Sequence, residues 1–297
     1  MFNRTVCLTV ALFASLPSSY AQQPDASEIP GYRHTVEKSR FFAGESVART
    51  KVVEENGFTK YQGRNGVLAI DQKTGLALAV RSDGADKASR VPASAGASTA
   101  VLDPDEHNKR VVNYFVRAGL PRDQVGVVHA NTYLSASGPT SKAASIEPRV
   151  DGYATIVSRT AGGFDVVDSV AWARIDGKGQ VLGEWVYWPP IPTKVVDDAR
   201  RLNETLNGAG RSDFLSKIPS AQKTGKVVIR HASPFAGGGF EAFASYDVIE
   251  RNERPERAST SVYVRHFDAE GREFRLPHEM RNVGADYPPK ETRPAAQ

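Results

Sequence analysis

Cysteine is nearly missing: the 297 residues hold one, Cys7. It falls in an N-terminal apolar run, so the rest of the chain has no thiol. That excludes disulfides, zinc-ribbon and thioredoxin-like sites, and cysteine nucleophiles. Long apolar stretches are lacking too. Beyond residue 21 no segment reaches the roughly 18 consecutive apolar residues that mark a membrane-crossing helix. Charge of one sign is also scarce: 38 Lys+Arg stand against 34 Asp+Glu, net +4, and the two signs are interleaved. With no basic stripe, nucleic acid is not an expected partner, even at a sequence pI near 9.1.

Catalytic motifs are lacking in the same way. The six histidines, His34, His107, His129, His231, His266 and His278, are scattered singly. LPHEMRN (276–282) opens like a helical zinc-protease motif, but Asn282 stands where the second imidazole is needed. No Gly-x-Ser-x-Gly elbow occurs: the Gly44-Glu45-Ser46 string lacks the closing glycine, and Ser135 to Gly138 lies in a small-residue loop. PFAGGGF (234–240) lacks the lysine and following helix of a phosphate loop, and ERNERPER (250–257) reads as a solvated loop of alternating sign. No catalytic residue, metal site or cofactor is therefore expected.

What is present begins with a signal. Arg4, the apolar run Thr5 to Leu16 and the small residues around Ser19-Tyr20-Ala21 form a secretory leader, with cleavage expected before Gln22. The mature chain is expected to be exported, periplasmic or extracellular, with no transmembrane segment. Residues 22–44 read as a flexible N-terminal segment and 45–81 as a β-hairpin centred on VLAIDQKTGLALAV. Residues 82–102, containing SDGADKASRVPASAGAST, read as a linker, and 281–297 as a disordered tail.

Between linker and tail, two stretches share one order of elements. In 103–190, Asp103 can cap a helix with Pro104 at its first position, Asp105 and Glu106 in its first turn, and Gly119 and Pro121 as stop signals. Four strands follow, near 124–134, 151–160, 164–175 and 180–187. In 191–280, Thr193 can cap a helix through Val195, Val196, Ala199, Leu202 and Leu206, and four strands follow again. IDGKGQV (175–181) and FDAEGRE (267–273) repeat one turn chemistry. The expected fold is α+β: tandem units of one helix packed on an antiparallel four-stranded meander, cystatin-like or PepSY-like, with an extra N-terminal hairpin.

All three tryptophans, Trp172, Trp185 and Trp188, lie in AWARIDGKGQVLGEWVYWPP (171–190). In a strand alternate residues share a face, so Trp185 goes with Tyr187, and Trp188 with Leu182, Glu184 and Val186. Pro189 and Pro190 end the strand because neither can donate to a ladder. The candidate ligand- or partner-binding residues are Trp185, Tyr187, Trp188 and Glu184. Glu184 beside aromatic rings could also serve glycoside cleavage, which needs a second carboxylate at a defined separation. It could equally snorkel at an edge strand.

The stretch YATIVSRTAGGFDVVDSVAWARIDGKGQVLGEWVYWPPI (153–191) resembles secreted PepSY-type and metalloprotease-propeptide-type domains. The resemblance lies in the strand with Arg159, the Gly162-Gly163 turn, the strand of Val166, Val167 and Ser169, then Ile175-Asp176 and Gly179 opening a return strand to Trp188-Pro189. It implies a small α+β domain that restrains or chaperones a partner, often a protease, without chemistry of its own. Since no peptidase follows, it implies action in trans. The expected function is an exported non-catalytic binding protein, protease-inhibitor-like or chaperone-like, engaging a protein or envelope polymer. The alternative is a hydrolase of envelope polymers using Glu184 and an unidentified second carboxylate.

Overall fold

The computed structural model describes residues 27–42, 51–64, 66–81, 102–135, 149–218, 224–231, 242–254 and 259–274. The leader, most of the linker and the tail lie outside these residues, as do Cys7, PFAGGGF and LPHEMRN. Among the described residues the strands are β1 (Glu28–Ile29), β2 (Lys51–Glu55), β3 (Phe58–Gln62), β4 (Gly66–Asp71), β5 (Ala77–Arg81), β6 (Val125–Ser135) and β7 (Arg149–Ala161). They continue with β8 (Phe164–Ile175), β9 (Val181–Tyr187), β10 (Ile191–Pro192), β11 (Gly225–His231), β12 (Ala242–Arg254), β13 (Ser259–Phe267) and β14 (Glu273–Phe274). The α-helices are α1 (Pro104–Arg117), α2 (Thr193–Asn207) and α3 (Arg211–Lys217).

The expected tandem units are not what forms. One mixed twelve-stranded sheet runs β14-β13-β12-β11-β8-β9-β5-β4-β3-β2, with β6 and β7 added beside β8. The chain is mostly β. The cause lies in β8, whose one edge carries β7 along its length while the other is shared. β9 pairs antiparallel from Val181 to Tyr187, the last pair being Val170↔Tyr187. Beyond it Pro189 and Pro190 cannot extend the ladder, and β11 takes the vacant edge in parallel at Ile229↔Val166. A skip in the β7–β8 register, from Ser158↔Val170 to Arg159↔Val166, bends the hub there. Strands that a self-contained unit would keep to itself are thereby spliced into one sheet.

The N-terminal hairpin is not an appendage either. It belongs to a meander of β2 to β5 joined to the hub through Leu78↔Trp185 and its neighbours. This puts β9 between β8 and β5, so Glu184 is on a central strand and not at an edge. The string from Glu250, read as a loop, continues β12 as far as Arg254.

Helix α1 starts where the capping chemistry places it: the Asp103 carboxylate accepts from the Asp105 and Glu106 amides, and Pro104 sits in the first turn. Its buried residues His107, Val111, Tyr114 and Phe115 follow the spacing of one helix face. Helix α2 buries Val195, Val196, Ala199, Leu202 and Leu206. Thr193 is its first helical residue rather than its side-chain cap, and its amide donates to Ser27 O at 2.7 Å.

Two apolar cores result. One gathers Val111, Tyr114, Phe115, Leu68, Val157 and Trp188 beneath α1. The other gathers Val196, Leu202, Phe214, Ile229, Val248 and Phe267 beneath α2 and α3. Residues 27–42, within the stretch for which flexibility is expected, contribute Tyr32, Val36, Phe41 and Phe42 to the first core. β1 pairs with β10, and the Tyr32 amide donates to Trp188 O at 2.7 Å. The repeated turns have one construction: Asp176 Oδ1 accepts from the Lys178 and Gln180 amides, and Asp268 Oδ1 from those of Glu270 and Arg272.

Candidate functional site: the two faces of strand β9

Alternation along β9 sends Glu184, Val186 and Trp188 inward, and all three are buried. Glu184 is 0% exposed. Its carboxylate accepts hydrogen bonds from the Ser39 and Tyr114 hydroxyls, and His34 Nε2 lies 3.3 Å from Oε1. Tyr32 OH meets the other ring nitrogen of His34 at 2.6 Å. Burial alone would raise the Glu184 pKa, but the bonds from His34, Ser39 and Tyr114 outweigh it and leave the acid below the usual carboxylate range. Burial, and then the Glu184 charge, push the Tyr114 phenol well up, so it stays a donor. This is a satisfied internal polar cluster that joins residues 32–39, α1 and β9. With no solvent-reachable face, Glu184 cannot meet a polymer in this arrangement, which disfavours the glycosidase reading.

Trp188 is 1% exposed. Its indole Nε1 donates to Gln124 Oε1 at 3.0 Å, and the Arg159 guanidinium lies 5.3 Å from its ring centroid. Arg159 is also fully buried and donates to Gln124 Oε1, Pro189 O and Pro30 O. Burial lowers its pKa to about 9. The arginine that marked the resemblance thus fastens residues 27–42 to the proline pair that ends β9. It is a strut.

The other face of β9 carries Trp185 and Tyr187, and the hub separates their fates. Tyr187 is 2% exposed and stands edge-on to His231, with centroids 6.0 Å apart. The His231 ring nitrogens are buried and have no hydrogen-bond partner among the described residues. Burial depresses the His231 pKa to about 3, so the ring is neutral. Trp185, in contrast, is 36% exposed.

Trp185 stands opposite Trp172 on β8 and Leu78 on β5, and Trp172 stands opposite Ile156 on β7. These four share the sheet face turned away from α1. Val80, 55% exposed, extends the patch two residues along β5, and Leu78 is itself 39% exposed. Gly183 makes room for it, because a Cβ there would come within 3.3 Å of the Trp172 ring. At one end Arg174 lies over the Tyr133 ring at 4.7 Å. The arrangement offers two neighbouring indoles and branched aliphatics with Arg174 at the border, and the exposed His129 on β6 stands opposite Ile156 on the same face, which suits binding.

Of the four residues proposed from sequence, only Trp185 is on a surface. Sequence reasoning missed Trp172, Leu78, Val80 and Ile156, because cross-strand register is needed to bring them together. It also missed His34, Ser39 and Tyr114 as partners of Glu184. A signal existed for the first of these: Tyr32, His34 and Val36 alternate as one buried face, and Phe41-Phe42 follows.

Among the described residues no group of three or more His, Cys, Asp or Glu is placed to hold a metal, and no helix is long and apolar enough to cross a membrane. The site and fold define a mostly β protein with one curled mixed sheet and, among the described residues, a partly exposed aromatic patch. No protein-family model matches the chain, and no curated protein matches it. Among solved structures it is similar to the Bacillus megaterium YpeB C-terminal domain, at 8% identity over 76% of this chain and 87% of that one, with a TM-score of 0.27. At that score the likeness carries no structural argument.

Proposed function

We propose that this is an exported binding protein without chemistry of its own, whose sheet face around Trp185 and Trp172 engages a protein partner, in the manner of an inhibitor or chaperone acting in trans. The observation that carries the reading is the cross-strand pair Trp172 and Trp185, flanked by Leu78 and Ile156 on a face that no described helix covers. Exposed apolar patches of this kind mark interaction sites, and tryptophan is among the side chains that dominate binding energy when a partner excludes water from them. The leader supports export.

The test compares two immobilised proteins, the native sequence and Trp185→Asp, exposed to an extract of exported proteins at moderate salt. The expected result is a discrete protein retained by the first and lost from the second, while circular dichroism at the binding temperature shows both fully folded. Retention of the same protein by Trp185→Asp would overturn the assignment of this face.

A further inference from the structure

We infer that a cleft beneath the C-terminal end of α2, remote from the aromatic face, binds a small carboxylate that carries an apolar body, such as an N-acyl amino acid or the C-terminal residue of a peptide. The cleft encloses about 510 Å³, within the size range of small-molecule sites. Its apolar lining comes from Phe164, Leu206, Val227 and Tyr246, and its polar lining from Asn203, Asn207, Arg211 and Lys226. No Asp or Glu lines it.

Arg211 gives the cleft its charge. The other cations of this region are occupied: Arg200 by Asp197, Arg201 by Asp198, Lys217 by Asp213, and Arg272 by Asp268 and Glu270. Lys226 is neutralised at the rim by Asp165. Among the described residues no hydrogen bond or ion pair engages the Arg211 guanidinium. A free planar fork beside a half-apolar cavity matches a carboxylate, which it can hold through two parallel hydrogen bonds.

Part of the cavity wall is bare backbone. Gly162, Gly163 and Gly225 line it. A Cβ on Gly225 would lie 2.4 Å from Asp247 O and 2.8 Å from the Tyr246 ring, so that position has no room for a side chain. At Gly163, with φ +89, an added Cβ would meet nothing within 4 Å. Apolar lining, a single unmatched cation and side-chain amides together select one anionic group on a hydrophobic body. A bare inorganic ion would leave Phe164, Leu206 and Tyr246 without contact.

The experiment uses amide chemical shifts of the full chain titrated with N-acetylphenylalanine, its uncharged amide, and the tripeptide Ala-Ala-Phe with free and amidated C-termini. The acids should shift Gly162, Gly163 and Gly225, and the amidated forms should not. Arg211→Gln should weaken binding roughly tenfold or more, the usual effect of losing a charge-assisted hydrogen bond. Response to the tripeptide acid alone assigns a peptide C-terminus, and response to the acyl amino acid assigns a free small molecule. Equal response to acids and amides, shifts confined to other residues, no response at millimolar probe, or unchanged binding by Arg211→Gln overturns the proposal. Arg211 is exposed, so the substitution leaves the core intact.

Discussion

His34 Nε2 lies 3.3 Å from Glu184 Oε1 with both side chains fully buried, so the segment that carries His34 is tied to a central strand of the sheet. Glu184→Ala would leave His34, Ser39 and Tyr114 facing a void. The expected loss is about 3–5 kcal/mol, as when one partner of a buried polar pair is removed. Glu184→Gln keeps the shape and an acceptor and should lose less, about 1–2 kcal/mol. Urea unfolding measures both, and proteolysis at Arg33 or Lys38 should accelerate in the alanine variant.

Stability should fall on mild acidification. Neutral His231 refuses a proton down to about 3, whereas the same ring in the unfolded chain accepts one near 6.5. Its contribution is therefore complete above about 6.5 and drains as pH falls toward 3. His107 is depressed in the same direction by burial. Glu184 and Asp247 are held below their ordinary values of 4.5 and 3.8, so their contributions are lost only at lower pH. Urea midpoints between pH 7 and 5 isolate the histidines, and His231→Leu should flatten that part of the curve. An unchanged slope would refute the assignment.

Gly162 and Gly163 form one turn but should respond differently to alanine. A Cβ on Gly162, at φ +58, would lie 2.3 Å from Val196 Cγ1, whereas Gly163, at φ +89, meets nothing within 4 Å. Gly163→Ala should cost about 1 kcal/mol of backbone strain. Gly162→Ala adds a core clash, for about 2–4 kcal/mol in total. The difference in melting temperature between the two variants reads the packing of α2 on the turn.

The two tryptophans of the β9 region should separate stability from binding. Trp188→Ala removes a buried ring together with its hydrogen bond to Gln124 and its contact with the Arg159 guanidinium, at about 3–5 kcal/mol. Trp185→Asp should cost less, about 1–2 kcal/mol for the lost cross-strand packing, while abolishing partner capture. A binding loss in Trp188→Ala beyond its unfolded fraction would mean that the inner face also takes part.

Local chemistry was legible where it is self-contained. The Asp103–Pro104 start of α1, the spacing of its buried face, the Asp176 and Asp268 turns and the bounds of β8 depend on neighbours only a few residues away. Glu184 shows the limit: its sequence context, between Gly183 and Trp185, is compatible with a wet cleft, an edge or a buried pair. The decision came from His34 and Tyr114, far away in the chain, and from β5, which covers what would otherwise have been an edge.

The sequence by itself determined the Asp103 cap of α1, the strand punctuation at Pro189 and Pro190, the Asp176 and Asp268 turns and the alternation that sets Trp185 apart from Trp188. These follow from backbone and side-chain physics acting over a few residues. Tertiary structure alone decided that the meanders merge into one sheet, because Pro189 and Pro190 leave an edge of β8 that β11 fills from a distant part of the chain. It also decided that Tyr187 is dry and Trp185 wet although both lie on one face, because burial depends on which strand or helix arrives on each side, and alternation fixes only the direction in which a side chain points.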